Sequence, residues 1–185
     1  MMLDALQEPG GEYFDWKARD GQFSVDGGLC TLTMFAVDPD SIRTGWGKLA
    51  TGMAPDYRWS DVANTKVPKP GDDFKPAFAL DVYVTEKGGA PSTGWKPWST
   101  TGRASRDALT AIWGAVHDGA KANAGKIAIL RVDEIISMQY GPAIVKAPKF
   151  SLVKWIAKPD RIHDTEPEPD RQPETAVVPD DDNLF

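Results

Sequence analysis

The sequence predicts a mainly β domain with a single helix and an acidic, disordered extension. Short apolar runs rich in β-branched and aromatic residues recur between Gly- and Pro-containing segments. One segment alone spaces its apolar residues at the 3.6-residue period of a helix face. The charge is also divided: residues 164–185 hold eight acidic side chains against Arg171, a net of −7 in a chain whose total is −6, so the first 163 residues stand at +1. With 185 residues, 41% of them hydrophobic, the chain is long enough for one domain with a real core.

From the N-terminus, EYFDWKA and GQFSVDGG are short strand candidates joined by a turn at Asp20-Gly21. LCTLTMFAV (29–37) follows. Its Cys30 is the only cysteine, so it can form no intrachain disulfide and reads as a small core hydrophobe. GWGKLATGM (45–53) supplies a further strand and FALDVYVTE (78–86) the next. The helix lies in SRDALTAIWGAVHDGAKANAG, about residues 105–123, where Ala108, Leu109, Ile112, Trp113 and Val116 form one apolar face. Ser105 is placed to cap its start and Gly125 to end it. KIAILRVDEI (126–135) and KFSLVKWIA (149–157) close the domain. This order fits an OB-fold-like small Greek-key barrel over residues 1–160 with long inserted loops; a generic α+β sandwich would give a similar string.

Two connections are too long for simple hairpins. The first, from Asp38 to Pro76, interleaves Trp46, Tyr57 and Trp59 with Arg43, Lys48, Arg58, Lys66, Lys69 and Lys75. The second, 87–103, places Lys96 between Trp95 and Trp98, with Lys87 and Arg103 at its ends. A single nucleic-acid strand offers flat base faces and a line of phosphates. A sequence-tolerant binder therefore needs aromatic platforms, worth about 1–3 kcal/mol per stacked base, beside cations. Trp46, Lys48, Tyr57, Arg58, Trp59, Lys66, Lys69, Trp95, Lys96, Trp98 and Arg103 are the candidate single-stranded DNA contacts. The same tryptophans would also serve as anchors that fold their loops back onto the barrel. Trp113, on the helix's apolar stripe, is assigned to the core.

Local signals for catalysis are sparse. His117, His163 and Cys30 do not make a zinc constellation. Asp72-Asp73 and Asp133-Glu134 are adjacent pairs, which on a strand point to opposite faces rather than forming a carboxylate dyad. The P-loop, nucleophile-elbow and dinucleotide-binding glycine patterns do not occur. The expectation is a non-enzymatic protein with no catalytic residue, metal or cofactor. The opening MMLDALQEPGGEY has neither a basic n-region nor an apolar h-region, and no run approaches the roughly 18 apolar residues of a membrane span. A cytoplasmic location with no membrane partner is expected.

The last segment, DTEPEPDRQPETAVVPDDDNLF, combines four prolines with its acids and has too little apolar surface to offset ordering, so residues 161–185 are expected to be a disordered tail. Its tip, Asp180, Asp181, Asp182, Leu184 and Phe185 behind a Pro-rich acidic linker, resembles the tail tip of single-stranded DNA-binding proteins of bacteria and their phages. Asn183-Leu184 stands where that family commonly carries Ile-Pro, so the resemblance is to a phage-type or divergent member. It covers the last six or seven residues closely and the rest by architecture. The resemblance implies sequence-independent single-stranded DNA binding in DNA replication, recombination or repair in a bacterial cell. It also implies a tip that recruits partner proteins and competes with DNA for a basic groove. A reading from another class is a phage structural or protein-interaction module with a solubilising tail. Homo-oligomerisation is left open.

Overall fold

The computed structural model describes residues 13–60 and 66–161. Residues 162–185, and with them the tail and its tip Asp180, Asp181, Asp182, Leu184 and Phe185, lie outside the described residues. Among the described residues the chain is mainly β with one α-helix. In order it forms β1 (Phe14–Lys17), β2 (Gln22–Val25), β3 (Gly28–Cys30), β4 (Met34–Lys48), β5 (Asp56–Trp59), β6 (Lys75–Val84), β7 (Gly94–Thr100), α1 (Arg103–Ala120), β8 (Lys126–Tyr140) and β9 (Ala143–Ala157). Strands β1, β2 and β3 make a small meander. The larger sheet runs β7-β6-β4-β8-β9, with β5 added to β4, and every pairing in it is antiparallel. The sheets are not closed: no ladder joins β7 to β9 among the described residues.

Local chemistry explains the turns. Val25 and Gly28 pair across Asp26-Gly27, which take φ +51° and +83°, the left-handed pair that a tight hairpin turn requires. The β8–β9 hairpin turns in two residues after Tyr140, with Gly141 at φ +56°. β4 is bent by an irregularity between Asp38 and Arg43 that contains Pro39, a residue unable to donate to a ladder. Its first half pairs with β8, its second half with β5, and β6 runs beside both.

The core gathers Phe14, Phe23, Phe35 and Trp98, whose ring centroids lie 5.0–5.6 Å apart in successive tilted contacts, with Leu80, Val82 and Leu130 around them. Ala108, Leu109, Ile112 and Val116 bring α1 onto it. Toward its end α1 meets β9, where a Cβ at Gly119 would stand 2.9 Å from the Trp155 ring, so the indole rests against helix backbone.

Several expectations are corrected. α1 begins at Arg103 behind Gly102. Ser105 does not cap it but is buried and donates to Trp16 O at 3.3 Å. The helix ends at Ala120, a single 3-10 turn covers Lys121–Asn123, and Gly125 (φ +77°) turns the chain into β8. Residues 45–53 are not a separate strand: 45–48 finish β4, and its partner is β5, from inside the first long connection. GWKPWST, from the second connection, is β7, and its Pro97 is tolerated because β7 is an edge strand. Trp113 is 40% exposed rather than in the core. Cys30 packs against the core, and burial pushes its thiol above the usual range, away from thiolate reactivity.

Candidate functional site

The cross-strand register decides which of the aromatic and basic residues share a face, because directly paired residues point to the same side. Gly45 pairs with Trp59 and Gly47 with Tyr57, and on the other flank Gly47 pairs with Lys75 and Arg43 with Ala79. Arg43, Tyr57, Trp59 and Lys75 therefore stand on one side of the sheet, above two glycines and two alanines. Tyr57 and Trp59, two residues apart on β5, stack with centroids 4.9 Å apart and planes 15° from parallel. The Arg43 guanidinium lies 5.4 Å from the Trp59 centroid, within cation–π range.

Gly47 is what lets this stack form. A Cβ there would come within 2.7 Å of the Tyr57 ring and 2.5 Å of Thr101 Cγ2, so the phenol lies directly on β4 backbone. Burial, helped by the charge of Asp15, raises the Tyr57 hydroxyl above its ordinary range, and the ring stays neutral. Among the described residues no carboxylate pairs with Arg43 or Lys75.

Other candidates are occupied elsewhere. Trp46 faces the opposite side of β4, where its Nε1 donates to Val67 O at 2.7 Å. Lys48 pairs with Asp73, and its hydrogen bond holds that carboxyl below the usual range. Lys69 donates to Asp72 O at 3.1 Å. These three residues tie down the segment between Lys66 and Phe74, and Lys66 stands exposed at its start. Arg58, on the face of Trp46, pairs with Asp56 at 3.0 Å. Arg103 lies over the Tyr140 ring at 4.7 Å, joining the helix start to the tip of the β8–β9 hairpin.

The second cluster is taken apart by β7. Trp98 is 0% exposed and belongs to the core. Lys96 is 5% exposed and pairs with Asp26 at 2.8 Å. Neither presents a surface to a strand, and both are withdrawn as contacts. Trp95 points to the other side, edge-on to Tyr83 at 5.3 Å. The chain's own continuation beyond β9 covers it: Nε1 donates to Pro159 O at 3.3 Å, and Arg161 lies 4.9 Å from the ring centroid. Arg161 in turn pairs with Asp81 and, at 3.8 Å, with the buried Asp38, which Lys158 meets at 2.5 Å. Trp95 is opposite Tyr83 and Trp59 opposite Gly45 and Ala77, so the two clusters stand six residues apart along β6, roughly 20 Å.

Arg43 was visible in the sequence only as one of many loop cations. Tyr83 and Arg161 carried no signal, since their roles come from register and from a chain end folding back. Among the described residues no helix is long and apolar enough to cross a membrane, and no group of three or more His, Cys, Asp or Glu is placed to hold a metal ion. Compared with known protein families, curated proteins and solved structures, the chain matches none of them.

Proposed function

We propose that the protein binds single-stranded DNA without sequence preference, in replication, recombination or repair, and that it acts by binding rather than by catalysis. The observation that supports this reading is the Tyr57–Trp59 stack with Arg43 against it, on a short strand at the margin of the sheet. A base takes the place of Arg43 on the face of Trp59 away from Tyr57, and the displaced guanidinium, with Lys75 nearby, meets the phosphate; aromatic platform and cation are the two requirements of such a site. The tip, with Asp180, Asp181, Asp182, Leu184 and Phe185, recruits partner proteins through its acids and its two apolar side chains.

The test is a titration with a poly-pyrimidine oligonucleotide and with duplex, following tryptophan fluorescence at two salt concentrations. Quenching by the single strand alone, weakened by salt and largely lost in Trp59→Ala, is expected. No response to the single strand, or an equal response to duplex, overturns the reading. One observation favours a protein-interaction module instead: Ile144 is 72% exposed, and Ile135 and Val153 are also exposed, on the long β8–β9 hairpin. Concentration-dependent assembly of a chain that ignores oligonucleotides would support that second reading.

A further inference from the structure

On the side of β4 and β6 opposite the Tyr57–Trp59 stack, a cavity of about 180 Å³ lies between the sheet and α1. Ile42, Phe78 and Leu80 line it from the strands, and Leu109, Ile112 and Trp113 from the helix. The irregularity in β4 between Asp38 and Arg43 contributes Ile42 to this wall. Ile112 and Leu80 are fully buried, whereas the exposed Trp113 stands at the rim, its ring edge-on to His117 at 5.1 Å.

The chemistry of the lining is one-sided. It includes two side-chain hydroxyls, and both are engaged: Thr44 Oγ1 lies 3.5 Å from Ser60 Oγ, and Thr110 Oγ1 donates to Arg106 O at 2.9 Å. A charged or strongly hydrogen-bonding guest would lose its hydration here without replacement. Water is poorly held for the same reason. An enclosed apolar cavity of about 150 Å³ lined by Leu, Ile and Phe stays dry and takes up benzene, and this one, open at its Trp113 rim, is similar to it in size and lining.

We infer that this cavity is a binding site for a small uncharged hydrocarbon ring, of the size of benzene or toluene. It is independent of the DNA-binding reading, because its walls are the other face of the strands that carry the aromatic stack. A mostly apolar pocket set on rigid elements is the usual form of a small-molecule site.

The experiment uses the full chain with toluene, and benzoate as the same ring carrying a charge. Thermal unfolding and tryptophan emission are read together. Toluene is expected to raise the unfolding temperature saturably by a few degrees and to shift the emission, and benzoate to do neither. Leu109→Phe and Ile42→Phe fill the cavity from opposite walls, and each is expected to abolish the response; if one fails to fold, the other carries the test. Absence of a saturable toluene effect, an equal effect of benzoate, or a response retained in a folded filled variant overturns the inference.

Discussion

The two segments that mix tryptophan with lysine are alike in composition but differ in what the fold does with them. In the first, Tyr57 and Trp59 sit on β5, stack on each other over glycine and meet Arg43, which has no carboxylate partner among the described residues. In the second, Trp98 is sealed in the core, Lys96 is buried against Asp26, and Trp95 is covered by Pro159 and Arg161, the latter held by carboxylates. Composition says which side chains could meet a ligand. Register and burial say which are free to do so.

The sharpest way to break this contrast is stability. Trp98→Ala removes a fully buried indole that touches Phe14, and should cost about 3–5 kcal/mol in urea unfolding. Trp59→Ala should stay within about 1 kcal/mol of the parent. Equal losses would mean that the β5 stack is structural. Lys96→Ala comes next. It leaves Asp26, a partly exposed carboxylate, without its buried partner and should cost about 1–3 kcal/mol in the same measurement.

Affinity sharpens the contrast from the other side. Trp59→Ala should weaken oligonucleotide binding by about 5- to 150-fold, the equivalent of about 1–3 kcal/mol of stacking, and Trp95→Ala by less than about threefold. The smallest effect concerns acid. The folded-state value of Asp73 is depressed by its hydrogen bond from Lys48, so the stabilisation is present above the unfolded carboxylate value and is lost as pH falls through the folded one. Lys48→Ala should therefore lower stability slightly at neutral pH and flatten its fall toward acid, the difference from the parent shrinking as pH falls, as read by urea midpoints from pH 7 to pH 3.

Much of the fold was legible. The helix announced itself through Leu109, Ile112 and Val116 at helical spacing, and β6 and β8 through their β-branched runs. β7 was not legible, because a Gly, a Pro and an inward Lys break the alternation that marks a strand. Trp113 was misplaced because an apolar stripe at the right period does not reveal that a cavity lies beneath its edge. At the site, Tyr57 and Trp59 could be picked out by type. Their union with Arg43, 16 residues from Trp59, rests on a register that no local pattern encodes.

The bent strand β4 has a consequence for synthesis. Its first half finds its β8 neighbour only at residues 128–131, almost a hundred positions later. While the ribosome is still making the helix, Phe35 and Val37 belong to a strand whose β8-facing edge has no partner, and such edges invite pairing with other chains. A nascent chain stalled before Lys126 would therefore be the form most in need of a chaperone.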